Sequence, residues 1–192
     1  AHPDWCGSGS IFAGGAVRAD DGTIAGPGEP GGLVVRGPGV TPGYWNDPQT
    51  TAEAIRDGWL HTGDLGVRDD QGRITFLDRM KELIITGGIN ISPVELESTI
   101  STLDGGHEVA VIAASDPRFG ETPAAIITVA DGSGIDERTV IAHCETVLAD
   151  YKVPRYVVLR ADPLPRLPNG KLDKTAIRDE YRDIPERFAR VR

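Results

Sequence analysis

About two-fifths of the way along this 192-residue chain the texture of the sequence changes, and that change restricts what it can fold into. Up to about residue 77 the chain is rich in glycine and proline, with short β-type runs between turns. Ile11 to Ala19, Leu33 to Arg36 and Arg73 to Leu77 read as strands, separated by Asp21-Gly22, Pro27-Gly28 and Gln71-Gly72, dipeptides that suit tight turns. One helix is expected from Pro48 to Arg56, capped by Thr50 or Asp47, with Ala52 and Ile55 on its apolar side. From Lys81 onward, strands alternate with better helix signals. Leu83 to Thr86, Val109 to Ala113, Ala125 to Val129 and Tyr156 to Arg160 are apolar strand candidates. Ser92-Pro93-Val94-Glu95 joins an N-cap serine, a proline at the first helical position and a glutamate three residues after the cap. In that arrangement each polar side chain can satisfy a free backbone N–H of the first turn. Pro93, Leu96, Ile100 and Leu103 then recur at helical spacing. Asp136 can cap a helix whose Val140, Ile141, Cys144, Val147 and Leu148 share a stripe, and a short helix runs from Asp173 to about Tyr181. The expectation is an α+β chain in two parts. Residues 1–78 form a β-rich segment and residues 79–192 a small α+β domain with a central sheet and packed helices, joined near Asp78 to Lys81.

The totals exclude several functions. A net charge of −9 argues against general nucleic-acid binding, because a phosphate backbone needs a basic surface. A local cluster of lysine and arginine can still hold a nucleotide. Cys6 and Cys144 have neither zinc-type spacing nor the density of a disulfide framework, which favours a reducing cytoplasm. Cys144 falls on the apolar side of its helix and reads as a small core residue. The four histidines, His2, His61, His107 and His143, are scattered, so no metal site is expected. No apolar run is long enough to span a bilayer, and no signal-peptide pattern opens the chain. Ala1, in place of an initiator methionine, reads as the start of an excerpt or a processed product.

Three segments carry possible chemistry. In Gly58-Trp59-Leu60-His61-Thr62-Gly63-Asp64, an aspartate behind Thr-Gly sits on a tight turn. Its carboxylate could accept two charge-assisted hydrogen bonds from a vicinal diol, or the motif could simply close the turn. Asp78-Arg79-Met80-Lys81-Glu82 places four charges in five residues at the joint, and suits either a solvated hinge or a surface loop. Gly87-Gly88 follows, without side chains where another backbone or a ligand could approach. In Pro165 to Lys174, Asn169-Gly170 favours a tight turn that presents Lys171 outward. A lysine there is either merely solvated or a mobile ammonium able to stabilise charge growing at a phosphoryl centre.

Taken together and in order, these segments resemble the C-terminal third of the adenylate-forming superfamily, from about Gly31 through Tyr181. That superfamily includes acyl-CoA synthetases, firefly-type luciferases and the adenylation domains of peptide synthetases. Gly39 to Trp45 with Thr51-Ala52-Glu53-Ala54 is similar to its "GYW…TAEAF" stretch, and Gly58 to Asp64 to "GW-x-x-TGD". Asp78 to Glu97 resembles the hinge and glycine-rich loop, and Asp116 to Glu121 resembles "DPxxGE". Tyr151-Lys152-Val153-Pro154 and Asn169-Gly170-Lys171 close the series.

The resemblance implies roles. Asp64 would bind the ribose hydroxyls of ATP or the acyl-adenylate, assisted by Arg79. Lys81 would be the hinge of a mobile domain, and Gly87 and Gly88 would lie near the pantetheine arm of CoA. Lys171 would contact the carboxylate and α-phosphate during adenylation. The substrates implied are a small carboxylic acid, ATP and CoA, with the magnesium site outside this chain. The phosphate loop and the aromatic-Gly-x-Thr-Glu motif would lie upstream, in a missing N-terminal domain, so the chain alone is expected to be inactive. Lys81 and Leu83 to Gly88 look more like acyl- or aryl-CoA ligases, whereas Asn169 to Lys174 leans toward peptide-synthetase domains that load a carrier protein. A stand-alone, non-catalytic module that binds a nucleotide, CoA or a partner and completes a separate N-terminal half is the alternative.

Overall fold

The computed structural model describes residues 5–9, 13–104, 108–130 and 133–192. The expected positions Ile11, Phe12, His2 and His107 lie outside these. The chain divides into two compact units, Ala1–Lys81 and Glu82–Arg192.

The first unit is built on one antiparallel sheet. Its strands are β1 (Trp5–Gly7), β2 (Gly14–Arg18), β3 (Pro30–Arg36), β4 (Ile55–Arg56), β5 (Trp59–Arg68) and β6 (Ile74–Arg79), in the order β1-β6-β5-β3-β2 with β4 added to β5. The helix expected from Pro48 to Arg56 is shorter, α1 (Pro48–Ala54), because Ile55 and Arg56 turn into β4 and pair with Leu60 and Trp59. Asp47 caps it, accepting from Thr50 N–H at 2.9 Å. Thr62-Gly63-Asp64, read as a turn, lies within β5, the longest strand of the unit. Tertiary pairing on both sides overrides its local turn chemistry. Gly66 on β5 allows that close pairing, since a Cβ there would stand 2.5 Å from Leu33 Cδ2 and 2.8 Å from the Thr75 carbonyl oxygen.

The second unit is a sheet covered by helices on both faces. It contains β7 (Ile84–Thr86), β8 (Ile89–Ile91), α2 (Pro93–Ser101), β9 (Val109–Asp116), β10 (Gly120–Thr128), α3 (Glu137–Val147), β11 (Tyr156–Arg160), α4 (Lys174–Glu180) and α5 (Ile184–Arg187). The sheet order is β11-β10-β7-β8, with β9 paired antiparallel to β10 and β11 parallel to it. Successive side chains of a strand point to opposite faces, and here both faces are apolar. Val109, Val111, Ala125, Ile127 and Val157 pack with Leu96 and Ile100 of α2 and Val140 and Cys144 of α3. Ala110, Ile112, Ala124, Ile126, Tyr156 and Val158 pack with Ile177 of α4 and with Tyr181 and Ile184. Sheets covered on both sides read as unbroken apolar runs, which is how β9 to β11 appear in the sequence.

Ser92 and Asp136 cap as expected, Ser92 Oγ accepting from Glu95 N–H and the Asp136 carboxylate from Thr139 N–H. The Glu95 carboxylate binds Lys152 Nζ, and Asp173 adds a cap by accepting from Ala176 N–H. Cys144 is buried, and desolvation pushes its thiol up to about 11. One member of the α3 stripe departs. Val147 is 64% exposed, because the helix ends there and Leu148, at its C-cap, turns inward instead. The strand expected at Leu83 to Thr86 is β7, while its hairpin partner β8 and helix α5 are elements the sequence reading did not include.

Leu96 touches no solvent, so Leu96→Ala should destabilise the fold by about 2–5 kcal/mol. Val147→Ala should change stability by no more than about 0.5 kcal/mol. Equilibrium denaturation of the two variants checks the contrast.

Candidate functional site

Asp64 is placed by an irregularity in β5. Gly32 faces Leu65 and Val34 faces His61, so the single residue Leu33 stands opposite three residues, Thr62, Gly63 and Asp64. Gly63 takes the left-handed backbone conformation this requires, with φ +78°. Thr62 stitches the bulge: its hydroxyl donates to the Leu33 carbonyl at 3.0 Å and accepts from Asp64 N–H at 3.1 Å. Bulges of this kind re-aim side chains and recur beside active sites. On its other side Asp64 is the direct cross-strand partner of Arg79.

The two side chains meet, with Arg79 Nε 2.7 Å from Asp64 Oδ1. That separation is an ion pair, yet among the described residues no N–H is aimed at Asp64 Oδ1 well enough to count as a hydrogen bond. Distance and direction thus disagree, and direction decides what a carboxylate can still accept. The aspartate is mostly buried and the arginine half exposed. Behind them Asp78 is buried and accepts from Arg79 N–H at 2.7 Å, which holds the end of β6.

Lys81 is exposed in the 3-10 turn Met80–Glu82 and is the last residue of the first unit. Gly87 and Gly88 form the two-residue loop of the β7–β8 hairpin, with Thr86 opposite Ile89. Both have positive φ, +55° and +85°, the combination a type I′ turn demands. Gly87 N–H donates to the Phe119 carbonyl at 2.8 Å, and a Cβ at Gly87 would crowd the Phe119 ring at 3.2 Å.

Lys171 closes a second tight turn. Leu167 N–H donates to the Lys171 carbonyl at 2.8 Å, Gly170 N–H donates to the Leu167 carbonyl at 2.9 Å, and Gly170 has φ +84°. Proline at the second position and a left-handed glycine at the fourth are the chemistry of a three-residue hairpin loop. Arg166 donates to the Gly170 carbonyl and to Glu108. That guanidinium, and then Leu164 N–H, hold the Glu108 carboxyl below the usual range. Lys171 itself is exposed and makes no ion pair among the described residues. Asp64 and Arg79 are therefore brought together, while Gly87-Gly88 and Lys171 occupy separate loops of the second unit.

Two features were not singled out in the sequence. Beside Gly87, Phe119 is flanked by two guanidinium groups, Arg118 at 4.9 Å and Arg155 at 4.5 Å from the ring centroid. With Asp150, Arg190 and Arg192 they line a cleft of about 470 Å³. Asp116 organises it: Oδ1 accepts from Arg118 and Phe119 N–H, and Oδ2 faces Arg155 and Arg190 at 3.4 and 3.3 Å. The arginines at 190 and 192 lie beyond any motif, so no local signal could have found the cluster.

The second feature is His61. It lines a cleft of about 520 Å³ in the first unit, with Arg18, Arg56, Asp57, Glu53 and Met80. None of the site residues expected from the sequence lines this cleft. Burial, then Arg56 and Arg18, hold the imidazole below its ordinary pKa, opposed by Asp57. Among the described residues its Nε2 has no hydrogen-bond partner.

Residues 95–171 match the family described as the AMP-binding enzyme C-terminal domain. The chain is 43% identical over 175 residues to the long-chain-fatty-acid–CoA ligase FadD13 of Mycobacterium tuberculosis, covering 91% of this chain and 34% of that protein. It is 42% identical over 172 residues to a feruloyl-CoA synthase of Amycolatopsis, covering 90% and 35%. Among solved structures, ATP-bound MatB from Rhodopseudomonas palustris superposes with a TM-score of 0.88 at 37% identity, over 95% of this chain and 36% of that one. MenE of Bacillus subtilis, an o-succinylbenzoate CoA synthetase in complex with its acyl-adenylate, gives 0.80 at 32% identity, over 88% and 34%. The chain spans about a third of the length of the relatives it matches.

His61 should titrate in NMR spectra with a midpoint below the ordinary 6.5. A folded pKa lowered in this way stabilises the fold above the unfolded value, and the contribution is lost as pH falls through the folded one. A midpoint at or above 6.5 would mean that Asp57, not burial and the arginines, governs the ring.

Proposed function

The chain belongs to the adenylate-forming enzymes, its residues 95–171 matching their C-terminal domain, and on that premise we propose that it is the C-terminal part of an ATP-dependent acid–thiol ligase. In the first half-reaction a carboxylate attacks the α-phosphate of ATP to give acyl-AMP and pyrophosphate. In the second, the thiol of CoA displaces AMP.

Asp64 carries this reading. Arg79 holds its Oδ1 at 2.7 Å, out of contact with solvent, while 22% of the aspartate side chain stays exposed, so the carboxylate is fixed beside a guanidinium with its open side turned to a ligand. A ribose offers two adjacent hydroxyl donors to such an oxygen pair, and charge-assisted bonds of that kind are short and strong. Lys171, exposed at the tip of a closed turn, is assigned to the carboxylate and α-phosphate during adenylation. Lys81 is assigned to the hinge, at the boundary of the two units. Exchange of the domain face between half-reactions would let one site serve two chemistries.

The Gly87-Gly88 turn is assigned to the pantetheine arm. The neighbouring Phe119 ring with Arg118, Arg155 and Arg190 suits the anionic nucleotide end of CoA, since guanidinium groups bind phosphate in a fixed fork geometry. The site is placed in the cytoplasm, where ATP and free thiols are available. Among the described residues no cluster of three or more histidine, cysteine, aspartate or glutamate side chains could hold a metal. The magnesium that accompanies ATP, which is typically held by one or two carboxylates and the substrate phosphates, is assigned to residues outside this chain, together with the phosphate loop and the pocket for the acid.

In the longer enzyme, Lys171→Ala should slow adenylation by a factor on the order of a hundred to a thousand, the loss of one preorganised charge-stabilising donor. Thioester formation from supplied acyl-adenylate should be much less affected. Equal loss in both steps would sink the role given to Lys171. Calorimetric titration of the chain with CoA, ATP and AMP separately tests the arginine cleft. CoA binding that Arg118→Ala and Arg155→Ala weaken supports CoA as the acceptor. Absence of CoA binding would mean that the arginine cleft does not hold CoA without residues outside this chain.

A further inference from the structure

Lys174 lies three residues beyond Lys171 and is enclosed, with only 14% of its side chain exposed. Its ammonium stands 2.8 Å from Glu97 Oε1 and 3.2 Å from Glu82 Oε2, and both glutamates are 19% exposed. The cluster joins three distant segments. Glu82 is the first residue of the second unit, immediately after Lys81. Glu97 belongs to α2 and Lys174 opens α4, helices that cover opposite faces of the sheet. Between them runs β9, whose strand partner among the described residues is β10 alone. On its other edge, Val111 N–H donates to Glu97 Oε1 at 2.8 Å. One carboxylate thus closes a backbone donor on a sheet edge and anchors the ammonium that reaches across that edge to Glu82.

We propose that Lys174 is a positioning residue that fixes the Lys171 loop to the segment following the hinge, so that both are held as one body. Resting on the adenylation role proposed above for Lys171, the inference adds a cause for that lysine's placement. The loop tip has little apolar anchorage, Leu167 being 41% exposed, and polar tethers hold its two ends. Upstream, Arg166 binds Glu108 and the Gly170 carbonyl. Downstream, Asp173 N–H donates to the Pro165 carbonyl at 2.9 Å, and Lys174 follows directly. Removing the ammonium leaves two poorly solvated carboxylates facing each other, and like charges at low exposure repel with little screening. Glu82 is then pushed from the cluster, and the loop loses its downstream tether.

The test pairs amide hydrogen exchange on the 192-residue chain with half-reaction rates in the longer enzyme, for Lys174→Met, Lys174→Arg and Glu82→Gln. Lys174→Met should speed exchange at Leu167, Gly170 and Lys171 at least as much as anywhere else in the second unit. It should also slow adenylation by about tenfold to a hundredfold, the scale of an ångström-sized misplacement. Thioester formation from supplied acyl-adenylate should stay near the parent rate, and Lys174→Arg should restore most of both losses. Uniformly faster exchange across the unit, or equal loss in both half-reactions, overturns the proposal, because simple destabilisation does that. If Lys174→Met does not fold, Glu82→Gln decides. It keeps the Glu97 pair, so selective loosening of the loop supports the proposal and an unchanged loop overturns it. Failure of the Lys171 assignment would show as normal adenylation in Lys171→Ala, whereas failure of this inference would show as uniform exchange or equal loss in both half-reactions in Lys174→Met while Lys171→Ala still slows adenylation selectively.

Discussion

The second unit depends on the alternation of apolar side chains along β9, β10 and β11. Every second residue belongs to one of two cores, one closed by α2 and α3, the other by α4 and α5. A slip of one residue in any of these strands would exchange the two sets, so that each pair of helices would meet side chains placed for the other face. Because the sheet is fixed in this way, its edges and turns are fixed as well. The glycine turn, the Phe119 turn and the Lys171 loop are all carried on connections from that rigid base. Functional groups on loops positioned by a packed scaffold are a general pattern.

In the first unit the organising constraint is a strand that is not regular. β5 is paired on both sides, to β3 and to β6, and accommodates extra residues opposite Leu33. The bulge costs regular pairing, but Thr62 recovers one hydrogen bond to the Leu33 carbonyl. What results is a carboxylate at a fixed place beside Arg79. A regular strand would have alternated Thr62, Gly63 and Asp64 between the faces and aimed the aspartate by pleat alone.

Several residues of the recognised motifs turn out to hold structure. Lys152 binds both oxygens of Glu95 at 2.7 Å, and Val153 is in the core. Asp116 is buried and gathers two backbone donors and two guanidinium groups. Glu97 closes the edge of β9. Motif and mechanism are therefore distinct: a segment can be diagnostic because it builds the frame around a reactive group. Lys171 and Lys174 illustrate the difference within a few residues, one exposed and without an ion pair among the described residues, the other enclosed between two carboxylates.

The sequence by itself determined the α+β character, the break in texture, the strand Tyr156–Arg160, and the helix starts at Ser92, Asp136 and Asp173. These are local matters, set by caps, prolines and residue spacing within a few positions. It also made the family legible, since six short motifs in order need no tertiary information. Only the tertiary structure decided that Gly58 to Asp64 is largely strand, that Ile55 leaves its helix for β4, and that Val147 faces solvent while Leu148 does not. It alone separated the two cores, because a sheet buried on both faces shows an unbroken apolar run with no period to read. The Asp64–Arg79 pair, the arginine cleft and the Lys174 cluster likewise join residues 15 to 92 positions apart. Their chemistry comes from strand register and sheet edges, which no local window of sequence contains.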